Sequence, residues 1–476
     1  KQSHSFSCEW IKILKQMKKK KILLLSDDMR MTSGVATMSK EFVLGTVHKF
    51  DWVQLGAAIK HPEAGKIIDL NDDVRKKTGV EDANVRIYPN NGYGDISRLR
   101  QLIELEKPDA ILHFTDPHYW QWLYDNEQEI RNQIPILYYH IWDDLPDPHY
   151  NRNYYESCDW LGCISKQTYG IVDRVGKSTR ESTHQPLKNW QVSYVPHGIN
   201  IETYKPVDSD DEMKKFVHGD KEYDFVLFYN NRNIKRKQPS DVIYSYRLFC
   251  DSLPKEKSDK CLLLMHTSSV DKNGTDLVAV VNELCVDYDV KFTNEKFDQS
   301  KLNRMYNMVD CTINIANNEG FGLTTAESVM SGTPIIVNVT GGLQDQCGFK
   351  FEGKYLTEKD YVKIGSLHDK RKWSEDLGLT WGEWVKPVWS SSTTLNGSPN
   401  TPYIFDDRIN HYDVVDSIKE VYEWGRPERK RRGLIGREFM IKHFSNKTMC
   451  DSLIKGINNT FKNFKKKPKH QLHKIT

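Results

Sequence analysis

CTINIANNEGFGLTTAESVMSGTPIIV, residues 311–337, is the stretch in which the fold becomes legible. Cys311-Thr312-Ile313-Asn314-Ile315 is a short apolar run of the kind buried on both faces of a parallel sheet. Small and polar residues follow to Gly322, then a helical pattern that ends near Ser331-Gly332, then a second apolar run at Pro334-Ile335-Ile336-Val337. At such a strand-to-helix turn the glycines let a ligand approach the backbone. The first helical N–H groups, with the helix macrodipole, favour an anion such as a pyrophosphate. Glu319 in the turn and Glu327 in the helix are carboxylates able to accept hydrogen bonds from hydroxyls at the two ends of a nucleotide sugar.

The same rhythm extends outward in both directions. Candidate strands begin at Lys21-Ile22-Leu23-Leu24-Leu25 and recur at Trp52–Leu55, Val85–Tyr88, Ala110–Phe114, Ile136–Tyr139, Trp160–Ile164 and Val192–Val195. Amphipathic helices are expected between them, among them Val35 to Leu44 and Ile96 to Glu106. A second set of strands starts at Phe225–Tyr229 and continues through Leu262–Met265, Val290–Phe292 and the opening stretch. Strands alternating with helices predict an α/β chain of two Rossmann-like, doubly wound domains facing a cleft, with ligands beyond the carboxyl ends of the strands.

We expect an N-terminal extension over residues 1–20, with Trp10, Ile11, Ile13 and Leu14, then a first Rossmann-like domain over 21–205 and a second over 206–435. Residues 345 to about 405 break the pattern with four tryptophans and a Ser/Thr run, and are read as an insertion. Helical pattern returns from Asp413 to Trp424 and from about Glu428 to Phe464; residues 436–476 form a terminal helix and basic tail that crosses back to the first domain.

Bulk properties exclude several classes. The 476 residues exceed what one core usually organises. With 68 basic and 65 acidic residues the net charge is +3, which gives no global field for nucleic acid. Nine cysteines, at no paired-ligand spacing and several within apolar runs, read as reduced thiols and not as a disulfide frame or zinc site. No apolar stretch reaches the ~20 residues that span a bilayer, so the expected location is cytoplasmic. Lysines at Lys18–Lys21 and Lys462–Lys469 are read as solvated ends, with peripheral contact to an anionic membrane as the alternative. Oligomeric state is not readable.

After the first strand of the second set comes Asn231-Arg232-Asn233-Ile234-Lys235-Arg236-Lys237, whose cations at a strand's carboxyl end suit a diphosphate and the charge on a departing nucleotide. No Asp-x-Asp element is placed for Mn²⁺ or Mg²⁺, so no metal is expected, and Asp143-Asp144 and Asp27-Asp28 are read as hydrated strand-end residues. Asp116, His118 and Asp144 are further cleft candidates.

Glu319-Gly320-Phe321-Gly322-Leu323 with Glu327, followed by Gly332-Thr333-Pro334-Ile335-Ile336 and Gly341-Gly342, resembles glycosyltransferase family 4, whose members carry an E-x7-E element. The resemblance implies a GT-B fold and a retaining glycosyltransferase that moves a sugar from a UDP-, GDP- or ADP-linked donor to a hydroxyl of a glycan, lipid-linked or small-molecule acceptor, with no cofactor. It implies that Glu319 bonds the donor sugar and Glu327 the ribose, with the backbone of Gly320, Phe321, Gly322 and Leu323 near sugar and phosphate and Thr324 beside them. Arg232 and Lys237 best match the family's Arg and Lys spacing. Val195-Pro196-His197-Gly198-Ile199-Asn200 resembles the segment that closes the family's first lobe and is assigned to the hinge. Thr32-Ser33-Gly34-Val35-Ala36 resembles its glycine-rich loop, placing Gly34 near donor phosphate, and Tyr139-His140-Ile141-Trp142-Asp143 its strand end, placing His140 near the transferring sugar. The competing readings are a non-catalytic nucleotide-sugar or glycan-binding protein, and a sugar phosphorylase or epimerase on the same fold.

Overall fold

A computed structural model describes residues 18–178, 185–208, 210–293, 295–364 and 378–466. The expected N-terminal extension up to residue 17, Trp373 and the lysines beyond residue 466 lie outside the described residues. The described parts of Lys1–Tyr139, Ser157–Trp160 and Ile454–Thr476 make one compact unit, and those of His140–Glu156 and Leu161–Leu453 make a second. The boundary expected near residue 205 falls inside the second unit, because the chain before it packs with the chain after it. Tyr194 donates its hydroxyl to Asp345 at 2.8 Å, and Arg437 donates to the carbonyl of Tyr204 at 2.6 Å.

In the first unit, β1 (Lys20–Asp27), β2 (Phe50–Ala58), β3 (Ile68–Asp69), β4 (Val85–Asn91), β5 (Ala110–His113) and β6 (Ile136–His140) lie in the order β3-β4-β2-β1-β5-β6. The β4-β2-β1-β5-β6 pairs are parallel and β3 runs antiparallel to β4. Ile22 to Leu25 are fully buried, as an unbroken apolar run at the centre of a parallel sheet requires. His140, the last residue of β6, packs with the second unit.

The second unit pairs Leu161–Cys163 of β7 (Trp160–Cys163) in parallel with β8 (Val192–Tyr194). Its main sheet contains β9 (Phe225–Asn230), β10 (Cys261–His266), β11 (Val290–Phe292), β12 (Cys311–Asn314) and β13 (Ile335–Asn338). The segment read as an insertion is partly framework. β14 (Lys350–Phe351), β15 (Lys354–Tyr355) and β16 (Leu379–Thr380) form a small antiparallel sheet, but β17 (Val385–Val388) completes the main sheet in the order β11-β10-β9-β12-β13-β17, all parallel. Pro387 in β17 disguises it as a loop, and an edge strand is where a sheet accepts proline. A hairpin of β18 (Ser392–Asn396) and β19 (Ile404–Arg408) follows. Helices Pro239–Asp251 and His411–Glu423 bury Val242, Tyr246, Val414 and Ile418 against Phe225, Leu227 and Leu263 of the sheet.

The long terminal helix expected from Glu428 is two helices, Gly425–Phe444 and Asn446–Asn463, broken at Ser445. Ile199 enters the break: its N–H donates to the carbonyl of Phe444 at 2.7 Å, and its carbonyl accepts from the N–H of Asn446 at 3.1 Å. The second helix leaves the second unit at Leu453 and enters the first at Ile454. There Gly456 lies against Trp160, and the Lys20 ammonium sits 5.6 Å from the centre of the Phe461 ring. The eight described cysteines are buried and none is in a disulfide. Among the described residues no helix is long and apolar enough to cross a membrane.

Candidate active site

The second unit assembles a polar cluster where β9, β12 and β13 end. From β12 the chain passes through Asn317 and Asn318 into the turn Glu319–Gly322 and the helix Leu323–Met330. Gly322 holds φ 85°, the left-handed conformation that an L side chain resists, and an added Cβ would come within 2.5 Å of Leu343. Gln346 donates to the carbonyls of Phe321 and Gly322 at 2.6 and 2.9 Å, which fixes the turn from the other side. The first N–H groups of the helix therefore stand over a rigid turn. Beside them the Thr324 hydroxyl is buried without a partner among the described residues.

Lys237 ends the single helical turn Lys235–Lys237 after β9 and is 9% exposed at its side chain. Its ammonium is ion-paired with Glu319 Oε2, which also accepts from Asn314 Nδ2 at 3.4 Å. Burial, and then the neighbouring Arg236 charge, push the Lys237 ammonium well below the ordinary lysine range. Arg236 donates to the carbonyl of Asn318 at 2.7 Å, and Asn317 N–H donates to the Arg236 carbonyl at 2.8 Å, so basic loop and glutamate turn are stitched together.

Arg232, the arginine chosen on spacing, is elsewhere. Its side chain is 66% exposed and 3.6 Å from Asp271. Arg236 is the arginine beside Lys237, and the run of basic residues gave spacing alone to choose between them.

Asp143 and Asp144 are not simply hydrated. Burial raises the carboxyl of Asp143 against the pull of Arg236 and Lys237. Burial and the adjacent Asp143 hold Asp144 well above its usual range, and Asp144 Oδ1 has no partner among the described residues. Asp28 in the first unit is also fully buried, with Arg30 at 2.7 Å and His61 at 2.9 Å. His140 is buried with its Nε2 3.0 Å from the Tyr155 hydroxyl. His197, assigned to the hinge, lies edge-on to Phe321 at 5.3 Å between ring centres, and burial pushes it down to about 3.

Glu327 projects from the helix that the turn begins. It accepts from the Tyr306 hydroxyl at 2.9 Å, which in turn accepts from Asn230 Nδ2 at 2.9 Å. Burial pushes the Glu327 carboxyl up to about 7 against the hydroxyls of Tyr306 and Tyr204. Gly34 belongs to the first unit, at the start of helix Gly34–Thr46. The Ser33 hydroxyl caps that helix by accepting from Ala36 N–H at 3.0 Å and donates to Asp27 at 2.6 Å.

The hairpin β18–β19 is a part of the site that the sequence did not announce. Asn318 Nδ2 donates to the carbonyl of Phe405, and Asp407 N–H to the carbonyl of Asn317 at 3.2 Å. The Thr340 hydroxyl donates to Asp407 Oδ2 at 2.7 Å. The hairpin thus holds the turn that carries Glu319. Its strands are short and polar, and no periodicity marks them. Among the described residues no group of three His, Cys, Asp or Glu side chains is arranged to hold a metal.

No protein-family model and no curated protein sequence matches the chain. Solved structures do. Sucrose-phosphate synthase from Thermosynechococcus elongatus is 12% identical with a TM-score of 0.63, over 93% of this chain and 100% of that one. A glycosyltransferase from Rickettsia africae is 11% identical with a TM-score of 0.59, over 94% and 100%. HepE of Anabaena, in complex with UDP, is 11% identical with a TM-score of 0.60, over 93% and 100%. At these identities the likeness is one of fold, and it is the GT-B fold expected from the sequence.

Proposed function

We propose that the protein is a retaining glycosyltransferase that moves a sugar from a nucleotide-sugar donor to an acceptor hydroxyl without a metal ion. The observation that carries this reading is the joining of Lys237 to Glu319 at the start of the helix Leu323–Met330, with Glu327 further along the same helix. Such an arrangement offers a donor three separate handles. The helix N-terminus and Lys237 attract the diphosphate. The Glu319 carboxylate accepts from the sugar hydroxyls and Glu327 from the ribose diol. Arg236 adds positive charge beside the Asn318–Glu319 turn.

In the transfer, the bond from the anomeric carbon to the phosphate oxygen breaks as the acceptor oxygen attacks on the same face, and the acceptor proton passes to the departing phosphate. Positioning and charge stabilisation carry such a reaction. Lys237 and the helix N–H groups would neutralise the leaving diphosphate, the role otherwise open to a divalent metal. The resemblance to family 4 supports His140 as the residue near the transferring sugar. UDP in HepE makes a UDP-linked sugar the first donor to try.

Calorimetry with UDP-, GDP- and ADP-glucose in the presence of EDTA tests the reading. One nucleotide class should bind the wild type, and Glu327→Ala and Lys237→Ala should weaken it. Loss of binding to all three by a folded wild type, with turnover of glucose 1-phosphate in its place, would replace the proposal with a phosphorylase.

A further inference from the structure

At the carboxyl edge of the first unit's sheet lies an aromatic and acidic surface that the donor site does not use. Asp27 ends β1, in register with Ala57 of β2, which is in register with Asn90 of β4. The chain leaving β4 places Tyr93 above this edge, and the chain leaving β5 returns with Asp116 and the turn Pro117–Trp120. Tyr93 and Tyr119 stack face to face, 4.8 Å between ring centres and 15° apart in plane. Trp120 closes edge-on to Tyr93 at 5.5 Å and is fully buried, and its indole N–H has no acceptor among the described residues. Tyr119 is nonetheless 59% exposed. One face of its ring rests on Tyr93, and the other is a flat platform held on a rigid base.

Asp116 caps the turn that carries Tyr119, and Asp27 ends β1, the strand paired with β5 from which that turn follows. Burial raises the Tyr93 phenol, and the charges of Asp27, Tyr119 and Asp116 raise it further. Asp116 Oδ1 accepts from the His118 backbone N–H at 2.9 Å and lies 2.7 Å from His118 Nδ1, which fixes the carboxylate beside the turn. Burial is the largest influence on Asp116, yet these bonds hold its carboxyl below the usual range, so it stays ionised and able to accept.

We propose that the Tyr93–Tyr119 stack, with Asp27 and Asp116, is a binding site for a neutral saccharide, one pyranose ring lying flat on Tyr119 with its hydroxyls donating to the carboxylates. The chemistry selects this ligand class. A pyranose has an apolar C–H face to set on an aromatic ring and hydroxyl donors at its rim, which pairs with an aromatic face edged by acceptors. A phosphate or other anion would meet the negative charge of Asp116, which separates this surface from the diphosphate handles of the second unit. A quaternary ammonium group prefers a cage of several open aromatic faces, and here Tyr93 gives its face to Tyr119. That the saccharide is the acceptor rests on the transferase reading above; that the first unit binds it does not.

Saturation-transfer NMR on the full chain tests the proposal, using the methyl α-glycosides of glucose, mannose and galactose at about 10 mM, a concentration suited to millimolar affinity, with choline as the cationic control. At least one glycoside should receive saturation on the C–H protons of one ring face. Tyr119→Ala should cut that signal at least about fivefold, the size expected for loss of one aromatic contact. Tyr119→Phe should keep the signal, and Asp116→Asn should weaken it. Circular dichroism and nucleotide binding should be unchanged in Tyr119→Ala, and the glycoside signal unchanged in Glu327→Ala. No response from any of the three glycosides, an equal response in Tyr119→Ala, or a response to choline alone would overturn the proposal. Failure of every nucleotide sugar to bind the wild type would remove the transferase reading and leave this one standing.

Discussion

Gly341 rests against the carbonyl of Glu319 so closely that a Cβ at Gly341 would lie 2.1 Å from that oxygen. Its backbone is also left-handed, at φ 46°, and the next residue, Gly342, donates its N–H to the same carbonyl at 2.8 Å. The glycine pair is therefore the seat of the glutamate turn.

Gly341→Ala should be far more damaging than an alanine at another left-handed glycine. Gly353, at φ 76°, has open space around it. Gly353→Ala should cost only the backbone term, about 1–2 kcal/mol, whereas Gly341→Ala adds a clash with backbone that cannot swing away. Urea unfolding of the two variants measures the difference. Equal losses would mean that the turn on Glu319 is more pliable than its geometry indicates.

Removing one member of the Lys237–Glu319 pair leaves the other buried and uncompensated. Glu319→Ala should cost about 3–5 kcal/mol of stability. The double variant Lys237→Met/Glu319→Leu should recover most of that loss, because well-packed apolar groups replace a buried ion pair at little cost. It should still bind no nucleotide sugar. Chemical denaturation and calorimetry on the same three proteins separate the structural contribution of the pair from its proposed role toward the donor.

Asp407 should behave as a positioning residue. Its carboxylate takes the Thr340 hydroxyl and its N–H the Asn317 carbonyl. Asp407→Ala removes the Thr340 bond, and the longer one that Thr393 donates to Oδ1 at 3.4 Å, and keeps the backbone bond. The expected result is a melting temperature lowered by a few degrees, from loss of about 1–2 kcal/mol, and a nucleotide-sugar affinity reduced more than that of Thr393→Ala, which lies on the neighbouring strand of the hairpin. Unchanged affinity in both variants would confine the hairpin to a structural role.

How much of this was legible in the sequence follows from burial. Strands buried on both faces, such as Ile22–Leu25, announce themselves as apolar runs because their side chains on both faces meet apolar neighbours. The helix Ile96–Glu106 runs between the residues expected, since Asp95 caps its start and Lys107 turns left-handed at its end. β17 and the hairpin β18–β19 were hidden because an edge strand tolerates Pro387 and the residues that β19 buries, Asp406 and Asp407, are polar. The glutamate turn could be found from glycines and acids at fixed spacing. Choosing Arg236 over Arg232 could not, because the contact of Arg236 with the Asn318 carbonyl is made by residues far apart in the chain. The contact of buried Asp28 with His61 was likewise made by residues far apart in the chain.

The raised carboxyl of Glu327 gives the molecule a pH dependence with a definite sign. Burial moves this group from the ordinary range near 4.5 up to about 7. The folded protein therefore binds its proton more tightly than the unfolded chain does, so the associated stability is complete below about pH 4.5 and is lost as pH rises through about 7. The span corresponds to about 3 kcal/mol. Glu327→Gln should remove this slope and make the ligand-free protein more stable than wild type at pH 8. Nucleotide binding should run the other way. A ribose diol donates to the ionised carboxylate, so affinity should rise through pH 7, with a proton released on binding below that pH and none above pH 8. Calorimetry in buffers of different ionisation enthalpy counts that proton. If Glu327→Gln keeps both the stability slope and the proton release, another group titrates and Glu327 does not face the ribose.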